Sequence, residues 1–243
     1  MIDKGLLDSG MDIPFPEARV TIHPPKCKEI CLIGQESFYM GCELLNFSKD
    51  ILNDKDKSNL ENISDFDIFM SIINSREKEG LKNKISAKMV LSLIFPDYEI
   101  LYNDAHNLVL IKNNEKFFIN AMNYAAFKQI LVELFCLQKD GDVPGQYNTK
   151  GDMAKKIADK IRKGREKAAA AKNGGDKEIN IIQRYISILS VGLQKSKEEL
   201  YNYTLYQLVD EYDRYIKKIN YDITLQAKMA GAKDIKDADN WME

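Results

Sequence analysis

The sequence predicts an α+β protein, with a small antiparallel sheet and several helices in its N-terminal half and an all-helical C-terminal half. Short runs of β-branched and aromatic residues, separated by turn residues, lie upstream of residue 120. Beyond residue 152, apolar residues recur every three or four positions, as in amphipathic helices. Because the spacing of apolar residues changes from a strand pattern to a helical one along the chain, strands are predicted in the first half only.

The bulk composition fits a globular protein of one large domain or two small ones. The chain has 243 residues, of which 44% are hydrophobic and 30% are charged. No apolar run approaches the roughly 18 residues that cross a bilayer, and the N-terminus lacks the basic start and apolar stretch of a signal peptide. We expect a cytoplasmic protein that does not associate with membranes.

The first elements alternate between strand and helix patterns. Residues 18–23 (ARVTIH) are typical of a strand, which the following Pro-Pro pair ends. Residues 28–34 fit a second extended or short helical piece. The apolar spacing over residues 36–53 predicts a helix, and the polar residues 53–62 predict a loop.

Two further helices precede the sheet. Ser64 and Asp67 have the spacing of a helix start, and residues 86–95 predict a helix that Pro96 ends. The buried face of the first of these helices is predicted to consist of Phe66, Phe69, Met70 and Ile73.

A β-hairpin follows. Residues 98–102 (YEILY) and 108–111 (LVLI) flank a polar turn that contains His106, and residues 117–119 can add a third strand after an Asn-Asn turn. Residues 123–138 return to helical spacing. Residues 1–138 are thus predicted to form one α+β domain.

The remainder is predicted to be a linker and a helical domain. Residues 139–152 hold glycines and a proline, which are typical of a linker. Residues 153–243 form the predicted helical domain, which begins with a basic helix at residues 153–173. Thr204 and Gln207 have the spacing of a capping box that opens a long helix.

The basic helix has the largest local excess of one charge in the chain. Nine Lys or Arg residues against three acids between residues 150 and 172 give a local charge of +6, in a protein whose net charge is −2. The stretch contains no aromatic residue for base stacking, which argues against nucleic acid, and it pairs Lys155 with Asp159 and Arg162 with Glu166 at i,i+4. A connecting helix, or an arm that docks on an acidic protein, fits better. The candidate contact residues are Lys155, Lys156, Lys160, Arg162, Lys163 and Arg165.

The C-terminus carries a second candidate contact. Trp241, the only tryptophan, is followed by Met242 after a polar turn. These two side chains either fold back onto the helical domain or offer an apolar anchor to a partner.

The sequence contains no recognisable catalytic pattern. Phosphate-binding glycine loops are missing, and two histidines offer little for a triad or a multi-histidine metal site. Asp65 and Asp67 lie at a helix start, where the helix dipole favours acids. Asp140 and Asp142 resemble part of a calcium loop, but Gly151 stands where its final acid belongs. We expect a protein that is not an enzyme and has no cofactor.

A metal site is also not expected from the cysteines. His23, Cys27, Cys31 and Cys42 include the residue types that bind zinc. Their spacing would converge only on a helix, which the Pro-Pro pair disfavours. We therefore interpret these cysteines as small buried side chains.

Four stretches of the C-terminal half carry a resemblance to a known family. They are residues 206–233 (YQLVDEYDRYIKKINYDITLQAKMAGAK), 239–243 (DNWME), 151–165 (GDMAKKIADKIRKGR) and 184–192 (RYISILSVG). These stretches resemble small tail-morphogenesis proteins of tailed phages and prophages of Gram-positive bacteria. The resemblance implies a tail assembly chaperone or adaptor, which binds the tape measure or tail tube protein in the cytoplasm of the infected bacterium. One alternative is a structural tail or baseplate subunit retained in the virion tail. A second is a nucleic-acid-binding protein that uses the basic helix.

Overall fold

The computed structural model describes residues 2–49, 63–74, 81–102, 107–137 and 181–231. Within these residues the chain forms nine helices and five strands, which confirms the predicted α+β class with helices in the C-terminal region. The helices are α1 Lys4–Ser9, α2 Cys27–Ile33, α3 Gln35–Leu45, α4 Asp65–Asn74, α5 Leu81–Ile94, α6 Tyr124–Leu134, α7 Ile181–Gly192, α8 Lys197–Tyr201 and α9 Leu205–Met229. The strands are β1 Ile13–Phe15, β2 Val20–Ile22, β3 Glu99–Leu101, β4 Leu108–Lys112 and β5 Glu115–Ile119.

The strands form two antiparallel sheets. β1 and β2 form a two-stranded sheet, and β4 is central in a three-stranded sheet of order β3-β4-β5. The predicted hairpin and its third strand are confirmed. Asn113 and Asn114 both have positive φ, 53° and 64°, which is the geometry of the two-residue turn that best fits the twist of a hairpin. The predicted turn around His106 lies outside the described residues.

Helix α3 packs closely on α5. A Cβ built on Gly41 would lie 2.5 Å from the carbonyl oxygen of Ser86 and 2.7 Å from Cγ2 of Val90. Only a residue without a side chain fits between these two helices at that point. Gly41 therefore sets how close the two helix backbones come.

Aromatic side chains fill the core between the sheets and helices. Phe95 and Phe127 stack with their ring centroids 6.1 Å apart, and Phe38 meets Phe135 edge-on at 4.9 Å. The predicted buried face of α4 is confirmed, since all four of its predicted residues are buried.

The C-terminal helices contribute to the same core. Ile186 and Leu189 of α7 and Leu205 and Leu208 of α9 belong to one cluster of buried residues with the N-terminal elements. The described residues up to 137 and from 181 to 231 accordingly group into one compact unit. The predicted linker and basic helix lie outside the described residues, so the proposed domain boundaries stay predictions.

Several local predictions differ from the structure. Helix α3 ends at Leu45, earlier than the predicted end at residue 53. Helix α2 forms two residues after Pro25, because a proline restricts the residue before it and not those that follow. The backbone N–H of Lys26 donates to the Glu29 carboxylate at 2.7 Å, which supports the start of that helix.

Candidate protein-binding site

Helix α9 begins at a capping box, as predicted. The hydroxyl of Thr204 accepts a hydrogen bond from the N–H of Gln207 at 3.2 Å, and the Gln207 side-chain oxygen accepts one from the N–H of Thr204 at 2.8 Å. The Gln207 amide also donates to the carbonyl of Asp8 at 2.6 Å. The start of α9 is thereby attached to the segment that ends α1.

The first half of α9 packs against α7. The rings of Tyr185 and Tyr212 stack in parallel with centroids 3.9 Å apart. One turn further along, Tyr215 lies so close to Gly192 that a Cβ there would be 2.1 Å from the ring. Side-chain contacts thus hold α9 against α7 as far as Tyr215.

A polar cluster supports this contact from the loop between α7 and α8. The Lys195 ammonium donates to the hydroxyl of Tyr203 and lies 3.9 Å from the carboxylate of Glu211 and 3.8 Å from that of Glu199. The pKa of Lys195 is raised, chiefly by its hydrogen bond with Tyr203 and with support from Glu211 and Glu199. The ammonium therefore links the loop to the adjoining helices while it stays charged.

Beyond Tyr215, α9 continues as a segment that we call the distal segment, residues 216–229. At 1.5 Å per residue it extends for about 21 Å past Tyr215, the last α9 residue packed against the described core. Ile223 is 59% exposed, although it continues the inward-facing row of the first half. The apolar row of α9 therefore continues beyond the point where the described core covers it.

A second apolar row runs along another side of the distal segment. Tyr221, Leu225 and Met229 follow one another at intervals of four residues, and all three are exposed, Met229 by 81%. The ion pair Lys218–Asp222, 3.4 Å long, lies on the same segment. The inward-facing side has Ile223 as its one exposed apolar residue here, since Ile216 and Ile219 are half-buried. A helix end with an exposed apolar row has the character of an element that a partner covers.

The sequence contains a periodic signal for this site that was missed. The long helix predicted to begin at Thr204 includes the segment. The i,i+4,i+8 row of Tyr221, Leu225 and Met229 could have been found by the same periodicity. Its exposure could not, because exposure depends on where the neighbouring elements end.

The contact residues predicted from the sequence lie outside the described residues. They therefore stay predictions. They are Lys155, Lys156, Lys160, Arg162, Lys163, Arg165, Trp241 and Met242.

Two of the three cysteines near His23 are core side chains as predicted, whereas Cys31 is half-buried. Cys27 and Cys42 are buried. Burial raises the pKa of the Cys27 thiol to about 12, with the nearby Cys31 adding to the effect, and burial also raises the pKa of Cys42. Thiols held protonated are poor nucleophiles. No group of three or more potential metal-binding side chains occurs among the residues that the structure describes.

The paired acids at the start of α4 have structural contacts. Asp67 and Ser64 form reciprocal hydrogen bonds across the helix start, at 3.1 Å and 3.4 Å. Asp65 receives a hydrogen bond from the Lys128 ammonium at 2.6 Å. Both carboxylates are therefore used in holding α4 in place.

Comparison with known proteins links the C-terminal part of the chain to phages. Residues 174–243 match a family model described as the YomV second domain, which is a phage-associated family. The matched range is less than a third of the chain and includes α7, α8 and the distal segment. No curated protein and no solved structure matches the chain. Over the described ranges, none of the helices has both the length and the apolarity to span a membrane.

Proposed function

We propose that this chain is a non-enzymatic phage tail-morphogenesis protein, which acts as a tail assembly chaperone or adaptor in the cytoplasm of the infected bacterium. Its partner in this proposal is the tape measure or tail tube protein. The observation that carries the proposal is the exposed apolar row of the distal segment, Tyr221, Leu225 and Met229, which lies inside the region similar to a phage-associated family.

The distal segment suits a binding role because of its attachment. The capping box and the Tyr185–Tyr212 stack fix the first half of α9, so that the second half needs little further ordering when a partner binds. A partner helix that packs along Tyr221, Leu225 and Met229 would bury three large apolar side chains. In this proposal Trp241 and Met242, which follow Met229 in the sequence, extend the apolar contact, and the basic residues of 155–165 add attraction to an acidic partner.

A chaperone is absent from the finished particle, whereas a retained tail subunit is part of it. Quantitative mass spectrometry of purified particles and of the lysate from the same infection separates the two roles. The proposal predicts abundant protein in the lysate and none in the particles. A constant copy number per particle would instead make this chain a structural subunit of the virion tail.

A further inference from the structure

The solvent-facing side of α5 carries an apolar row. Leu81, Ile85 and Met89 are 48%, 44% and 40% exposed and follow one another at intervals of four residues. At 100° per residue these three positions span an arc of about 80° and form one row. Val90, on the opposite side, is buried against α3. The exposed row is therefore separate from the face with which α5 packs against α3.

The row runs between basic side chains. Helix α5 contains Lys82, Lys84 and Lys88 and no Asp or Glu. Lys82 lies on one side of the row and forms an ion pair with Glu36 of α3. Lys88 lies on the other side, with its ammonium 4.2 Å from the centre of the Tyr102 ring. Burial, and after it the charge of Lys84, lower the pKa of Lys88.

We propose that this row binds an amphipathic helix of a partner protein whose apolar stripe is flanked by acidic residues. A straight row with one residue per turn matches the apolar ridge of a second helix, whereas a strand presents side chains at a different interval. Lysines on both sides of the row attract acids at the edges of that partner stripe. This surface lies outside residues 174–243, so it is a second site that does not depend on the proposed role of α9.

Two other occupants fit the charges less well. A second copy of this chain, packed α5 against α5, would bring the lysines of both helices together. An anionic membrane surface would attract the lysines, but the row offers only three partly exposed apolar side chains to insert into it. A single acidic helix can contact the row alone.

The binding test uses the full-length chain and three fluorescently labelled peptides. The first is a designed amphipathic helix of about 18 residues with a leucine stripe flanked by glutamates, long enough to form helix on binding. The second has lysines in place of those glutamates, and the third has the first peptide's composition in scrambled order. Fluorescence anisotropy gives the dissociation constant of each peptide.

The matched variants remove apolar side chains on and off the row. The test variant is Leu81→Gln/Ile85→Gln/Met89→Gln. The control variant is Leu32→Gln/Met122→Gln/Val191→Gln, which changes three side chains that are even more exposed and lie outside α5. Both sets of substitutions are at the surface, and circular dichroism with a thermal melt checks that each variant is folded.

The proposal predicts that the glutamate peptide binds the wild type at least about tenfold more tightly than either other peptide. The test variant should lose about tenfold in affinity for it, and the control variant should be unchanged. Equal binding of the glutamate and lysine peptides, or equal binding by the test variant, would overturn the proposal. A fall in oligomeric mass in the test variant alone would assign the row to a second copy. If the wild type binds phosphatidylglycerol vesicles but no peptide, and the test variant loses vesicle binding, the row would be assigned to a membrane.

Discussion

The carboxylate of Asp65 accepts a hydrogen bond of 2.6 Å from the ammonium of Lys128, which joins the first residue of α4 to the middle of α6. The same carboxylate accepts one from the backbone N–H of Lys49 at 3.1 Å, and Lys128 donates to the carbonyl of Phe47 at 3.1 Å. The two side chains are 21% and 15% exposed. A partly buried ion pair thus holds the chain that leaves α3 between two helices.

The Asp65 carboxylate should make stability depend on pH at the acid end. Burial alone would raise its pKa, but the hydrogen bonds from Lys128 and Lys49 outweigh burial and lower the pKa below its ordinary value of 3.8. A lowered folded-state pKa adds stability that is fully present above the unfolded pKa and is lost as pH falls through the folded pKa. The free energy of unfolding, measured in urea, should therefore fall less between pH 6 and pH 3 in Asp65→Asn than in the wild type. An identical fall in both proteins would contradict this assignment.

Removing only the cation should cost more than removing both charges. Lys128→Met leaves the Asp65 carboxylate partly buried without its ammonium, and we expect a loss of about 2 kcal/mol, reduced from fully buried pairs because both groups are partly solvated. The double variant Asp65→Asn/Lys128→Met should lose less than the sum of the two single losses, as measured by a double-mutant cycle at neutral pH. Additive losses would mean that the two side chains do not act as a pair.

Gly41 should not tolerate a side chain. Gly41→Ala places a methyl group against the Ser86 carbonyl and Val90, and we expect a loss of about 2 kcal/mol in unfolding free energy despite the better helix propensity of alanine. Gly41→Ala/Val90→Ala should recover little of this loss, since the closer contact is with backbone. Wild-type stability of Gly41→Ala would contradict the close approach of α3 and α5.

Gly192 should behave differently, because its neighbour is a side chain that can be shortened. Gly192→Ala pushes against the Tyr215 ring and should reduce stability by about 2 kcal/mol. In the background of Tyr215→Ala, the added substitution Gly192→Ala should cost nothing or stabilise α7, since the steric conflict is gone. Equal costs of Gly192→Ala in the two backgrounds, measured by thermal unfolding, would show that the Tyr215 ring is not what restricts this position.

Local signals in the sequence were enough to predict some elements. The start of α4 and the start of α9 each depend on a side chain that bonds to a backbone N–H three residues away, so Ser64 and Thr204 could be assigned without tertiary knowledge. The Asn113-Asn114 turn likewise follows from residues that tolerate positive φ.

Other features depend on contacts that are distant in sequence. The early end of α3 coincides with hydrogen bonds from Tyr124 to the carbonyl of Leu45 and from Lys128 to that of Phe47, both about 80 residues away in the chain. Strand β1 contains Pro14, which discourages a strand prediction, yet Ile13 and Phe15 are buried on either side of it. The exposed row of α5 was missed because the predicted helix began at residue 86, after Leu81 and Ile85.

The most direct test of the proposed function is co-purification of the tape measure protein with the full-length tagged chain from infected cells. We predict that the wild type retains the tape measure protein and that Leu225→Gln/Met229→Gln loses it by about tenfold, since this variant removes the second apolar row of the distal segment. The control Leu32→Gln/Met122→Gln, which changes exposed apolar residues elsewhere, should retain it fully. Equal retention by both folded variants would contradict the claim that α9 binds the partner, and absence of the tape measure and tail tube proteins from the wild-type complex would contradict the proposed role in tail assembly.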